Sequence, residues 1–127
     1  MVHSNPSNQV TDAVSLATIG MVNRLGAKAI LSLTETGFTP RMISRHRPEC
    51  PIIAVTTSAV VARKLALNWG VLPLLHTGKE NDDAKIRCGI ERARELDYLR
   101  SGDLVLIITG TPQTAGGTNS IRVMTID

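Results

Sequence analysis

Hydrophobic and polar positions alternate between two periods along this chain. Over residues 11–25, Val14, Ala17, Met21 and Val22 recur at helical spacing, which predicts a helix closed by Gly26. The run Ala29-Ile30-Leu31-Ser32-Leu33 reads as a short strand buried on both faces. A polar loop follows, and Thr39 before Pro40 reads as a helix N-cap with proline in the first turn. That helix reaches about Arg47 and is stopped by Pro48. Ile52-Ile53-Ala54-Val55-Thr56 is the second strand, and Ser58 caps a helix running to Trp69, closed by Gly70. Residues 71–75 form the third strand. Asn81 and Asp82 open a long helix through Tyr98, with Ile86, Ile90, Ala93 and Leu96 on its inner face. Ser101-Gly102-Asp103 turns the chain into a fourth strand, Leu104-Val105-Leu106-Ile107-Ile108. After a Gly/Thr loop over 109–119, Ile121, Val123 and Thr125 alternate with Arg122 and Met124, the pattern of an edge strand.

Helices link the first four strands, so those strands run parallel with right-handed crossovers, and helices must cover both faces. No helix separates the last two strands, which therefore pair antiparallel. The expected fold class is α/β: a three-layer α/β/α sandwich on a five-stranded mixed sheet, in the order 3-2-1-4-5 with strand 5 antiparallel. Residues 1–10 read as a flexible tail or linker, and residues 11–127 as one domain, which is all that this length supports. Strands 1 and 4 then lie side by side where the winding reverses, and open α/β sheets bind ligands beyond the carboxyl ends of their strands at such a point.

Two loops meet there. The first, Thr34, Glu35, Thr36, Gly37, Phe38 and Thr39, carries three hydroxyls and a glycine at a helix N-terminus, where exposed amides and the helix dipole favour an anion. The second, after strand 4, offers Gly110, Thr111, Thr114, Gly116, Gly117 and Thr118 to fold over the same ligand. Caps and turns alone would also account for these residue types. Neither loop is a Walker A motif, and there is no GxGxxG.

Composition narrows the remaining classes. Apolar residues make up 43% of the chain and charged residues 20%, an ordinary globular balance. No apolar run approaches the roughly 18 residues of a membrane span. Cys50 and Cys88 match no metal-ligand spacing, and without a secretion signal they read as reduced thiols in a cytoplasmic protein. The formal charge is +3, and the three aromatic side chains, Phe38, Trp69 and Tyr98, make no stacking platform, so a nucleic-acid role is not expected. His46 reads as a surface residue and His76 as a loop residue. Met21, Met42 and Met124 read as core or near-core filler, and Trp69 as packing under the end of its helix. Arg41, Arg45 and Arg47 read as a solvated face or part of an interface. No nucleophile–base pair is evident, so no catalytic residue, cofactor or metal is assigned.

The run Leu33-Thr34-Glu35-Thr36-Gly37-Phe38-Thr39-Pro40-Arg41, continuing through Ser44-Arg45-His46-Arg47-Pro48 and Cys50-Pro51-Ile52-Ile53-Ala54-Val55-Thr56, resembles the C-terminal, effector-binding domain of pyruvate kinase. Ala62-Arg63, Leu67-Asn68-Trp69-Gly70-Val71-Leu72-Pro73 and Gly117-Thr118-Asn119-Ser120-Ile121-Arg122-Val123 extend that resemblance over about residues 11–126. It implies the sheet argued above and a regulatory role in glycolysis. It also implies that loop 34–39 holds the phosphate of an effector while the loop after strand 4 closes over it. The family's catalytic barrel, with its metal ligands, lysine and cation site, has no counterpart in these residues, so no activity is expected of this chain alone. Glu35 adds a negative charge to the loop, and residues 110–118 contain no Arg or Lys for a second phosphate. The expected effector is therefore a sugar phosphate or a nucleotide monophosphate rather than a bisphosphate. The resemblance further implies a homo-oligomer, and a pyruvate kinase catalytic domain as partner if the chain is a fragment. Two alternatives stand beside it: a structural or oligomerisation module with a vestigial effector site, and a free-standing enzyme acting on a phosphorylated metabolite.

Overall fold

A computed structural model describes residues 6–78, 81–110 and 118–127. The elements run α1 (Pro6–Leu25), β1 (Ala29–Leu33), α2 (Phe38–Arg45), β2 (Ile52–Thr56), α3 (Ala59–Leu65), β3 (Val71–Leu75), α4 (Asp82–Glu95), β4 (Leu104–Gly110) and β5 (Thr118–Thr125). The five strands form one sheet in the order β3-β2-β1-β4-β5. β1 pairs parallel with β2 and with β4, β2 pairs parallel with β3, and β4 pairs antiparallel with β5. This is the sheet that the alternation of helices and strands predicts.

The three inner strands, β2, β1 and β4, are almost wholly buried. Successive side chains point to opposite faces, so one sequence feeds two cores. Ile30, Ile52, Leu106 and Ile108 meet Val22 of α1 and Ile43 of α2 on one face. Leu31, Ile53, Val55, Val105 and Ile107 meet Ile86 and Ala93 of α4 on the other. Met21 and Met124 pack against these clusters, one on each face. The outer strands carry the expected edge chemistry. Pro73 sits in β3, where its missing N–H can face away from the sheet, and Val123 of β5 is half exposed.

Each helix has a boundary that differs from the sequence pattern, for a local reason; α4, expected to reach Tyr98, ends at Glu95 because Asp97 takes φ 63°. α1 starts at Pro6 rather than Thr11, with proline in the first turn where its missing amide is harmless. Its inner face is Thr11, Ser15, Thr18 and Val22, all buried, while Ala17 is exposed. Ser15 Oγ donates to Thr11 O at 2.8 Å and Thr18 Oγ1 donates to Val14 O at 2.7 Å, so these buried hydroxyls are satisfied within the helix. α2 begins at Phe38 with Gly37 as its N-cap; Thr39 lies inside the first turn and is not the cap. α3 ends at Leu65, and residues 66–69 make the turn that Gly70 completes.

Candidate functional site

β1 and β4 are neighbours, with Ser32 paired to Ile108, so the loops that leave them start side by side at the carboxyl end of the sheet. The structure thus brings the beginnings of both predicted loops together. Of the second loop, Gly110 ends β4 and pairs with Thr118 of β5 across an irregularity at Thr109/Gly110. Thr111, Thr114, Gly116 and Gly117 lie outside the described residues.

The first loop is built around Gly37. Thr34 N–H extends the ladder to Val55 O at 2.9 Å, and the chain then reverses through Gly37 at φ 79°, ψ 1°. This left-handed conformation is costly for any residue with a Cβ. Space is tight as well: a Cβ at residue 37 would lie 3.2 Å from Val61 Cγ1 and 3.3 Å from Leu65 Cδ2 of α3, so those side chains would have to give by a few tenths of an ångström. Gly37 is therefore favoured twice, by its backbone angle and by the helix packed over it.

The loop's own hydroxyls hold the amides of this turn. Gly37 N–H donates to Thr34 Oγ1 at 2.8 Å, and Phe38 N–H donates to Thr36 Oγ1 at 3.3 Å. Pro40 has no amide to offer, and Arg41 N–H is the first to close a turn of α2, on Gly37 O. Thr34 and Thr39 are buried, whereas Glu35 and Thr36 are exposed. Thr36 can thus rotate without disturbing the core, and its bond to Phe38 N–H is the longer of the two.

Glu35, the acidic residue of this loop, is drawn aside. Its carboxylate accepts from Thr57 N–H at 3.3 Å and from the Thr57 hydroxyl, both in the turn after β2. It therefore bridges two loops rather than occupying the Gly37 and Phe38 amides. Sequence reasoning missed Thr57, because a threonine after a strand carries no signal of its partner. Thr56 and Ser58 continue the turn: Ser58 N–H donates to Thr56 Oγ1, and Val61 N–H donates to Ser58 Oγ as the predicted cap of α3.

The other singled-out residues fall outside this crevice. His46 is exposed. Trp69 is 47% exposed rather than tucked beneath its helix, and the Arg47 guanidinium lies 5.4 Å from its ring centroid. Cys50 is buried, which pushes its thiol up to about 11 from the ordinary 9.0. No group of three His, Cys, Asp or Glu side chains among the described residues could hold a metal ion. No helix among them is long and apolar enough to cross a membrane.

A family model for the alpha/beta domain of pyruvate kinase matches residues 12–124. The pyruvate kinase of Clostridium acetobutylicum is 39% identical over 124 residues, covering 97% of this chain and 26% of that protein. Pyruvate kinase 2 of Synechocystis sp. is 43% identical over 115 residues, covering 90% of this chain and 20% of that protein. Pyruvate kinase 2 of Candida glabrata is 35% identical over 119 residues, covering 89% and 23%. The chain spans between a fifth and about a quarter of the length of these curated relatives.

Proposed function

The chain belongs to the pyruvate kinase family as its C-terminal alpha/beta domain, and from that premise we propose that it is a regulatory and assembly domain, cytoplasmic and without activity of its own. It binds a phosphorylated effector at the loops after β1 and β4. The observation that carries this reading is the Gly37 turn at the start of α2, where Phe38 N–H is held by the exposed, rotatable Thr36 hydroxyl, beside the Gly37 amide on buried Thr34 Oγ1. A phosphate oxygen replaces Thr36 Oγ1 on Phe38 N–H, and the freed Thr36 hydroxyl donates to the phosphate. The dipole of α2 favours the negative charge. Glu35 stays on Thr57, close enough to oppose a second charge, which favours a singly phosphorylated sugar or nucleotide over a bisphosphate.

Calorimetric titration of the folded domain with ribose 5-phosphate, glucose 6-phosphate, AMP and fructose 1,6-bisphosphate tests this. Heat is expected with a monophosphate and is lost in Thr36→Ala, whose exposed side chain leaves the core intact. No heat with any of them would sink the effector reading. Subunit contacts are assigned to the groove of about 450 Å³ between α1 and α2, where Leu16 is 52% exposed beside half-buried Phe38 and Met42. A light-scattering mass of one chain at high concentration would remove that part.

One observation favours the vestigial-site alternative: the loop satisfies its own amides without a ligand. Recovery of phosphate affinity in Glu35→Lys supports it if the wild-type domain binds nothing. The free-standing enzyme is the weakest reading, because the crevice holds one carboxylate and no base partner among the described residues. Turnover of a phosphorylated metabolite, abolished by Thr36→Ala, would restore it.

A further inference from the structure

The register of β1 and β2 sets two loop residues face to face. Leu33 pairs with Val55, so two residues on, beyond the last pair, Glu35 stands opposite Thr57. The Glu35 carboxylate accepts from Thr57 N–H at 3.3 Å and from the Thr57 hydroxyl. It is in no ion pair among the described residues, so this threonine fixes where its charge points. Thr57 itself stands on rigid ground. Thr56 is fully buried, its carbonyl accepts from His76 N–H at 2.9 Å, and its hydroxyl accepts from Ser58 N–H at 3.2 Å. Ser58 then caps α3, so the post that holds Glu35 is anchored on both sides.

A carboxylate at residue 35 has a second destination on its own chain. Phe38 N–H lies three residues on, the spacing at which Ser58 Oγ and Asn81 Oδ1 accept from Val61 N–H and Ala84 N–H in the caps of α3 and α4. Phe38 N–H is held by the exposed Thr36 hydroxyl at 3.3 Å, a long bond to a neutral acceptor. A carboxylate is the stronger acceptor, and the amino end of α2 favours its charge. Glu35 and Thr57 are both exposed, so hydrogen bonds rather than burial set which destination the side chain takes.

We propose that Thr57 is a positioning residue for the loop after β1: its hydroxyl parks the Glu35 carboxylate clear of the Phe38 amide, which the carboxylate otherwise occupies, shutting phosphate out. This rests on the reading of that loop as the phosphate site and adds the contact that keeps the site open. Thr57 acts through Glu35 and does not touch the ligand. The loop thus has two states set by one side chain, open while Glu35 is on Thr57 and self-occupied when it is released.

Amide-resolved NMR of the labelled domain tests this without any ligand. Thr57→Val keeps the β-branched shape at an exposed position and removes only the hydroxyl, so the fold is expected to hold. The Phe38 amide then moves downfield as the carboxylate replaces the Thr36 hydroxyl. Thr57→Ser keeps a hydroxyl and leaves the amide at its wild-type position, and Glu35→Gln combined with Thr57→Val abolishes the shift. Calorimetric titration with ribose 5-phosphate gives a second readout. Thr57→Val weakens binding about tenfold, the scale of one charge-assisted hydrogen bond, and the same change has no effect in a Glu35→Gln background. An unmoved Phe38 amide in folded Thr57→Val overturns the proposal, as does an equal loss of affinity with and without the Glu35 carboxylate. No heat in the wild-type domain sinks the effector reading by itself, and the Phe38 shift in the free variants still decides where the carboxylate goes.

Discussion

Replacing Gly37 by alanine tests whether the loop after β1 is shaped by one glycine in two ways at once. The backbone penalty is that of any residue with a Cβ in the left-handed region, about 1–2 kcal/mol. The packing penalty is particular to this site, because the new methyl would sit 3.2 Å from Val61 Cγ1 and 3.3 Å from Leu65 Cδ2. Leu65 is 1% exposed and has little freedom to withdraw, so crowding adds about 1 kcal/mol. Gly70 is a control within the same molecule. It has a similar φ of 69°, but a Cβ there would meet nothing within 4 Å. Gly70→Ala is therefore expected to cost only the backbone part, and Gly37→Ala about 1 kcal/mol more. Urea denaturation of the three proteins measures both, and a difference of that size corresponds to about 3–5 °C in Tm for a chain this long. Equal losses in the two variants would refute the packing half of the argument. No loss in either would refute the backbone half.

Gly89→Ala sets helix propensity against crowding. Alanine gains about 1 kcal/mol in a helix interior, but its Cβ would lie 2.3 Å from Leu31 Cδ1 and 3.3 Å from Val55 Cγ2, both in the buried core. Overpacking of up to about 3 kcal/mol should win, lowering Tm; a rise would show that Leu31 moves aside freely. Ser32 Oγ is buried without a hydrogen-bond partner among the described residues, so Ser32→Ala should stabilise the domain by about 1 kcal/mol in urea melts, and a loss would reveal a partner. Cys50 gives a pH dependence. Its folded thiol is pushed up to about 11, while the unfolded chain ionises near 9.0, so the folded state holds the extra proton between them. That contribution is fully present below pH 9 and is lost as pH rises through 11. Cys50→Ala should flatten the decline in stability over that window, and an unchanged pH profile would count against burial of the thiol.

The sheet was legible in the sequence because its signals are redundant. Four apolar runs of strand length, helical patterns between them and a final hairpin leave one economical winding order, and the right-handed crossover rule does the rest. The face of α1 was not legible in the same way. Its buried positions Thr11, Ser15 and Thr18 are polar by composition and become core-compatible only through hydrogen bonds to carbonyls one turn back. Of the apolar positions read as its pattern, Val14, Met21 and Val22 do pack on the core and Ala17 is exposed, while Leu16, also apolar, is 52% exposed. At the candidate site, residue types revealed an anion-favouring loop, but which residue caps α2 depended on Gly37 adopting a positive φ. Thr39 before Pro40 has the right chemistry for a cap, yet the reversal two residues earlier takes that position. The Glu35–Thr57 bridge was beyond sequence reasoning, since it joins residues 22 positions apart that meet only because β1 and β2 are neighbours. The same holds for Arg47 over Trp69, which depends on the Ser44–Trp69 tie between α2 and the turn before β3.

The central claim is that the amides at the start of α2 receive the phosphate of an effector. Amide-resolved NMR of the labelled domain, titrated with the monophosphate that gives heat, tests it most directly. The account predicts progressive shifts of the Gly37 and Phe38 amides, accompanied by Gly110 at the mouth of the second loop. Saturable binding that leaves Gly37 and Phe38 unshifted would contradict it.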